Sequence, residues 1–182
     1  MPGVSKNIVF FDLETQKSAD EVGGWENKHL MRVSIGVTYS TRIGDFQVFE
    51  EDDVQELIEV LKEADLVIGY NIVGFDYPVL TGYSDFDFSK LSTFDILANI
   101  KQRLGFRLKL ENVAQATLNA GKMADGLAAL RWFKEGEFAK IALYCKEDVR
   151  ITKEVYEFGK KNQFIFYSDR DNPKKRLDVN WP

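Results

Sequence analysis

Acidic side chains in three separate segments of the sequence could act together on a divalent cation. The first segment, Asp12-Leu13-Glu14, directly follows the apolar run from Ile8 to Phe11. In a strand, residues i and i+2 point to the same face. Both carboxylates would therefore project from the carboxyl end of a buried strand, where α/β sheets place their ligands. A solvated strand end is the plain alternative for this segment.

The other two segments each place one carboxylate among mostly uncharged or apolar residues. Asp76 lies in an uncharged stretch that also contains Asn71 and Phe75, and its alternative role is to cap a short helix. Asp148 lies four residues after Tyr144, on a predicted helical stripe that is otherwise mostly apolar. A buried carboxylate is costly unless it is paired or bound to a metal. A salt bridge is therefore the alternative to metal binding for Asp148.

Four carboxylates that converge on one place could not all remain ionised without compensating charge. Two unit charges about 5 Å apart repel by about 3 kcal/mol at an effective dielectric constant of 20, so protons or cations must offset the repulsion. Oxygen-only ligands select hard ions such as Mg²⁺ or Mn²⁺. Two such ions would balance four negative charges, and a pair of divalent ions commonly catalyses attack on a phosphodiester. The residues predict such a site from Asp12, Glu14, Asp76 and Asp148.

The elements that would position these acids are predicted from hydrophobic periodicity. Strands are expected over residues 8–11, 31–39, 46–49, 66–68, 91–94 and 164–167, and helices over 53–64, 95–104, 110–119, 125–134 and 137–160. The first three strands indicate an antiparallel meander, and the strand–helix–strand succession that follows indicates a parallel crossover. We therefore expect an α/β fold with a mixed central sheet flanked by helices. It would form a single domain over residues 1–182, with a polar tail from about residue 168.

The composition argues against several classes of protein. Twenty-four Lys and Arg against 29 Asp and Glu give a net charge of −5, which disfavours binding of nucleic acid by bulk charge but not by a small local site. One cysteine, Cys145, excludes a disulfide framework and a structural zinc cluster. No apolar run approaches the ~20 residues of a membrane span. We therefore expect a cytoplasmic protein that does not associate with membranes.

Together, the three acidic segments resemble the exonuclease motifs of the DEDD superfamily. The motifs are Asp12-Leu13-Glu14, Asn71-x-x-x-Phe75-Asp76 and Tyr144-x-x-x-Asp148. The tyrosine is typical of the DEDDy branch, since the histidine branch requires a histidine where this chain has Leu143. The details are most similar to the proofreading exonuclease of family-B DNA polymerases, and the resemblance covers about residues 7–155. It implies an RNase H-like fold, and 182 residues leave no room for a polymerase domain. A stand-alone exonuclease is therefore expected.

The resemblance also implies a role for each motif residue. Asp12 would bridge two metal ions, and Glu14 and Asp148 would complete the first of them, which activates the attacking water. Asp76 would hold the second ion, which stabilises the leaving 3′ oxygen, and Tyr144 would orient the water through its hydroxyl. The implied reaction is hydrolysis from a free 3′ end of single-stranded nucleic acid, with DNA favoured, and it releases nucleoside 5′-monophosphates.

Substrate contacts are expected from further residues, inside and outside the motifs. Thr15 matches a position whose backbone meets the terminal nucleotide, whereas Asn71 and Phe75 match supporting positions around it. Trp25 could stack on an unpaired base or pack in the core. A candidate phosphate-contacting patch has four cations within nine residues, and a solvated helix–loop junction is its alternative. These cations are Lys101, Arg103, Arg107 and Lys109, and Lys174-Lys175-Arg176 is a further candidate.

Two other functions stay open from the sequence. A catalytically silent module that binds nucleic acid ends or a partner protein would usually lack one of the carboxylates, and all four are present. An endonuclease of RNase H type would not need the Tyr144 and Asp148 pair. A helicase or another protein of replication or repair is compatible with either an active or a silent module.

Overall fold

A computed structural model of the chain describes residues 6–120, 126–169 and 174–182. The strands within these residues are β1 (Ile8–Thr15), β2 (Val33–Ser40), β3 (Asp45–Glu50), β4 (Leu66–Gly69), β5 (Thr93–Asp95), β6 (Phe164–Tyr167) and β7 (Lys175–Asp178). The α-helices are α1 (Val54–Lys62), α2 (Asp76–Leu80), α3 (Ile96–Leu104), α4 (Leu110–Leu118), α5 (Gly126–Lys134) and α6 (Phe138–Asn162).

Five of these strands form one mixed sheet in the order β3-β2-β1-β4-β5. The pairs β1–β2 and β2–β3 are antiparallel, whereas β1–β4 and β4–β5 are parallel. β1 is central because Val9, Phe10 and Phe11 are apolar and buried on both faces of the sheet. The structure thus confirms the predicted α/β architecture, with a meander followed by parallel strands.

β1 continues four residues beyond its predicted end, so both acids of the first segment lie inside the strand. Antiparallel pairing with β2 holds them there, with Asp12 opposite Val37 and Glu14 opposite Ile35. On its other edge, β1 pairs with β4 only as far as Phe10. The carboxyl half of β1 therefore has a strand on one side and is open to loop and helix residues on the other.

Different helices cover the two faces of the sheet. Phe10 packs in a core that includes Val149 and Tyr156 of α6, whereas Val9 and Phe11 pack in a core that includes residues of α1 and α2. Because side chains alternate along a strand, Asp12 and Glu14 share the face of Phe10. The first two acids therefore point toward α6.

In the segment expected as a polar tail, the described residues 174–182 pack against other elements of the fold. β7 pairs antiparallel with β6 in a separate two-stranded sheet, so β6 is not an edge strand of the main sheet. Trp181 is buried, stacks on Tyr156 and donates from Nε1 to Oδ1 of Asn99 at 2.8 Å. A Cβ at Gly159 would lie 2.3 Å from the Trp181 ring, so the close approach of the chain end to α6 requires glycine there.

The other predicted elements agree with the structure within a few residues at their ends. Residue 125 of the helix predicted over 125–134, and residues 170–173 of the predicted tail, lie outside the described residues. No helix in the described part of the chain has the length and apolar character to cross a membrane.

Candidate active site

Three carboxylates meet where α6 crosses the carboxyl half of β1. Asp12 and Glu14 come from β1, and Asp148 comes from the side of α6 that packs on this strand. One carboxylate oxygen of each residue lies within 4.8 Å of those of the other two. The period-2 face of the strand and the helical stripe predicted from sequence therefore meet at one point.

Asp76 approaches the same strand from α2, which packs on the other face of the sheet. It is 2% exposed, and its Oδ1 accepts a hydrogen bond from the backbone N–H of Leu13 at 3.0 Å. That N–H can reach a side chain because β4 does not pair with β1 beyond Phe10. Phe75 rather than Asp76 is the N-cap residue of α2. Asp76 thus lies outside the three-acid group but within electrostatic reach of Asp12.

Tyr144 lies one helical turn before Asp148, and its hydroxyl is close enough to interact with that carboxylate. Its ring packs edge-to-face on Trp132, with ring centroids 6.1 Å apart. Burial, followed by the charges of the nearby acids, raises the pKa of Tyr144. The phenol therefore stays protonated and can act as a donor.

Burial is the largest cause of the raised pKa of all four carboxyl groups. It raises the pKa of Asp76 and of Asp148 to about 8, and the pKa values of Asp12 and Glu14 lie well above their ordinary range. Repulsion from neighbouring carboxylates adds to burial at each position. Among the described residues, no ion pair includes any of the four. The salt-bridge alternative for Asp148 is therefore not observed.

The donor set of this group fits a hard divalent cation. All of the close donor atoms are carboxylate oxygens, the ligands that such ions prefer. Oδ1 of Asp148 is buried and has no hydrogen-bond partner in the described part of the chain. Because an unsatisfied buried polar atom is costly, a cation would satisfy this oxygen and relieve the mutual repulsion.

Cys145, the single cysteine of the chain, also contacts the acidic group. Its thiol is fully buried, and Sγ lies 3.4 Å from both the backbone oxygen and Oδ2 of Asp12. Burial and the nearby carboxylates raise the pKa of the thiol. The protonated thiol therefore donates to Asp12 and restricts the orientation of its carboxylate.

A fifth acid, Asp95, holds the turn of the second motif, and sequence analysis missed this role. Its carboxylate is buried at the end of β5 and accepts hydrogen bonds from the backbone N–H groups of Asn71 (2.9 Å) and Val73 (3.0 Å). Asn71 adopts a φ of +70°, a left-handed conformation that needs such support. The available signal was the position of Asp95 directly before α3, where it accepts from the N–H of Ala98 as an N-cap.

The four cations of the predicted phosphate patch point to different places. Nη2 of Arg107 donates to Oδ1 of Asn71 at 3.0 Å, and Asn71 lines the cleft described below. Arg103 donates instead to Asn99 and to a backbone carbonyl near the C-terminus. Lys101 and Lys109 are exposed and do not line this cleft. Of these four cations, Arg107 is therefore the one that hydrogen-bonds to a residue of the cleft wall.

A cleft of about 620 Å³ lies in front of the acidic residues. Its walls include Asp12, Glu14, Thr15 and Asp76 from the predicted site. Trp25 also lines the cleft, is 63% exposed, and packs edge-to-face on Phe75 with ring centroids 6.3 Å apart. Core packing is therefore not the role of Trp25, and the cleft combines carboxylates with an accessible aromatic surface.

Comparisons with known proteins agree with this fold. A family model described as the RNase H superfamily matches residues 9–158, whereas no curated protein sequence matches the chain. The structure is similar to the family B DNA polymerase from the hyperthermophilic archaeon Pyrobaculum calidifontis, with a TM-score of 0.64, 18% identity and 86% of this chain covered. The match spans 25% of the polymerase chain, so it concerns the fold of one part of that protein.

Proposed function

This chain belongs to the RNase H superfamily, and from that premise we propose that it is a metal-dependent 3′→5′ exonuclease. Family membership and the acidic group together support nuclease activity. The observation that carries the proposal is the group of three carboxylates within 4.8 Å, free of ion pairs among the described residues, with the Tyr144 hydroxyl within electrostatic reach of Asp148. The tyrosine favours an exonuclease of the DEDDy type over an endonuclease.

We propose two Mg²⁺ or Mn²⁺ ions as the cofactor. Asp12, Glu14 and Asp148 would hold one ion, and Asp12 with Asp76 would hold the other. When bound, such a pair activates water as a nucleophile and stabilises the leaving oxygen of a phosphodiester.

The chain's own groups orient the ligands and the water. The Leu13 N–H holds Asp76, and the Cys145 thiol donates to Asp12, so both carboxylates keep one orientation. The protonated Tyr144 hydroxyl lies next to Asp148, where it can hydrogen-bond the attacking water. The raised pKa values show that burial and repulsion disfavour the ionised acids without a cation.

The cleft offers separate contacts for a base and for a phosphate. The exposed Trp25 ring, supported by Phe75, can stack on an unpaired terminal base. Arg107 at the Asn71 side can contact a phosphate, and the backbone near Thr15 can meet the terminal nucleotide. The products would be nucleoside 5′-monophosphates from single-stranded nucleic acid, with DNA favoured. Because such a substrate must be unwound first, a helicase of replication or repair is the partner class that we propose.

A nuclease assay on end-labelled oligonucleotides tests the function. Single-stranded DNA and RNA of one sequence, labelled at the 5′ end, are incubated with Mg²⁺ or Mn²⁺ and with wild-type protein or Asp12→Ala. We expect a descending ladder that requires the metal and Asp12, because removal proceeds one nucleotide at a time from the 3′ end. A circular single strand of the same composition has no 3′ end, so the protein should not hydrolyse it.

Other outcomes would assign other functions. Cleavage of the circle, or a single internal cut in the linear strand, would identify an endonuclease. Binding without turnover under every metal condition would identify a silent binding module.

Arg107→Ala should weaken substrate binding more than Arg103→Ala does. Loss of one phosphate contact lowers the affinity of a single strand about fivefold at 0.1 M salt, because the logarithm of affinity changes by about 0.7 per contact per decade of salt. We expect KM to rise by this factor for Arg107→Ala with little change in kcat. Arg103→Ala is the matched control, since its side chain bonds elsewhere. Equal effects of the two substitutions would remove Arg107 from the proposed phosphate contact.

A further inference from the structure

The C-terminal part of the chain differs in charge from the rest. Residues 158–182 contain six Lys or Arg and three Asp, a net charge of +3, whereas the chain as a whole carries −5. Five of these 25 residues are aromatic. A basic segment with interleaved aromatic residues, in an otherwise acidic protein, is typical of a local contact with nucleic acid.

Three phenylalanine rings form a row along this segment. Phe164 and Phe166 alternate along β6 with the buried Ile165 and Tyr167, so both rings lie on the outer face of the β6–β7 sheet. Their centroids are 5.3 Å apart, and the Phe158 ring of α6 lies 5.7 Å from that of Phe164. We call these three rings the aromatic row.

Two cations lie over the aromatic row. Cζ of Arg176 lies 3.9 Å from the centroid of Phe164, and Nζ of Lys174 lies 4.2 Å from that of Phe166. Arg176 also pairs with Asp178, but the two side chains are 57% and 77% exposed. An ion pair so exposed contributes little to stability. A phosphate could therefore replace the Asp178 carboxylate as the partner of Arg176 without a large loss of stability.

Cation–π contacts across a strand pair also stabilise a hairpin, so the contacts alone do not imply a ligand. Lys62 makes the same kind of contact, with Nζ 5.4 Å from the centroid of Phe86 and an ion pair to Glu59. The difference lies in the surroundings, because α1 and the 3₁₀ turn before it contain several other acids whereas residues 158–182 carry net positive charge.

We propose that the aromatic row, with Lys174 and Arg176, binds single-stranded nucleic acid at a distance from the reacting 3′ end. The cations, which lie over Phe164 and Phe166, would contact phosphates, and bases would stack without sequence preference on the ring surface that the cations leave uncovered. Phe158 lies ten residues after Asp148 on α6, about 15 Å along the helix axis, so a strand in the cleft must be several nucleotides long to reach both places. This inference rests on the proposed function, since the strand is that of the exonuclease.

Length-dependent binding tests the inference. Affinities of the full chain for 5′-labelled dT20 and dT5 are measured by fluorescence anisotropy in EDTA at 0.1 M salt. The double variant Lys174→Glu/Arg176→Glu should lower the ratio of dT20 to dT5 affinity about 25-fold, which is about fivefold for each phosphate contact. Lys62→Glu is the control and should leave the ratio unchanged.

The remaining outcomes separate failure of this inference from failure of the proposed function. An equal loss for both lengths, or no loss, overturns the binding role of the aromatic row even if wild type still hydrolyses both oligonucleotides. Unchanged dT20 binding with weakened binding of a poly-glutamate peptide would assign the surface to an acidic protein partner instead.

If the double variant fails to fold, a comparison of Arg176→Lys with Arg176→Gln tests the same contact, because only the lysine keeps the charge. Absence of hydrolysis by wild type with any metal would refute the exonuclease itself.

Discussion

Asp148→Asn should abolish hydrolysis and stabilise the metal-free protein at pH 8. The substitution keeps the shape of the side chain, but it removes a charge that the proposed site needs to hold the cation. We expect at least a 100-fold loss of rate, because electrostatic groups of this kind contribute about 10²–10³ each. The gain in stability arises because burial and Asp12 raise the pKa of Asp148 to about 8, so its ionised form opposes folding.

The stability effect should depend on pH. One pKa unit on one carboxyl group corresponds to about 1.4 kcal/mol, or about 2–4 °C in Tm for a chain of this size, and this is the smallest increase expected at pH 8. At pH 5 the carboxyl group is protonated in the folded wild-type protein, but the unfolded group, which titrates near 4, is mostly ionised, so the increase should be smaller than at pH 8 without vanishing. Thermal unfolding of wild type and Asp148→Asn in EDTA measures the increase in Tm at pH 8 and at pH 5.

Glu147→Gln is the matched control for this substitution. Glu147 precedes Asp148 on α6, but it is ion-paired to Arg150, which lowers its pKa. Its neutralisation should leave hydrolysis unchanged and should not raise Tm. An Asp148→Asn variant with wild-type rates would remove Asp148 from the metal site, and a lower Tm at pH 8 would contradict the assigned repulsion.

Divalent metal should stabilise the wild-type protein far more at pH 8 than at pH 5. Without metal, the folded state binds protons at Asp76 and Asp148 more tightly than the unfolded chain, where such groups titrate near 4. The stability that this proton binding adds to the folded state is fully present below about pH 4, and it is lost as the pH rises through about 8. Mg²⁺ or Mn²⁺ binds the ionised acids, so it must displace more protons at pH 5 than at pH 8.

Differential scanning fluorimetry with excess EDTA or Mg²⁺ at both pH values checks this expectation. Tm in EDTA should fall between pH 5 and pH 8, and Mg²⁺ should restore it at pH 8 by RT ln(1 + [L]/Kd). Asp148→Asn should show a smaller fall in EDTA and a smaller metal effect. Equal Mg²⁺ shifts at the two pH values, or equal shifts in wild type and variant, would argue against a metal centre at these acids.

The three-acid group could be predicted because each part of it follows from local periodicity. Asp12 and Glu14 share a face through the period-2 alternation of a strand, and Tyr144 and Asp148 share a stripe one turn apart on a helix. These relations depend only on backbone geometry, so neighbouring sequence is sufficient to state them. In the structure, one carboxylate oxygen of each of Asp12, Glu14 and Asp148 lies within 4.8 Å of those of the other two, and Asp76 lies outside this group.

The supporting contacts could not be predicted because they join residues distant in the sequence. Asp95 holds Asn71 across 24 positions and Cys145 reaches Asp12 across 133. Each has a complete local explanation, as an N-cap and as a buried thiol, so nothing near it in sequence indicates the second role. The burial of Trp181 was missed for the same reason, since its partners lie on other elements.

The sequence by itself determined which residues could share a face, because strand and helix repeats are set by backbone sterics over a few residues. Only the tertiary structure decided which faces meet. β4 stops pairing at Phe10 and thereby leaves the Leu13 N–H to Asp76, and the packing of α3 directs Arg103 away from the cleft while Arg107 reaches Asn71. Such outcomes depend on strand lengths, sheet register and the packing of distant apolar surfaces, which are properties of the whole chain.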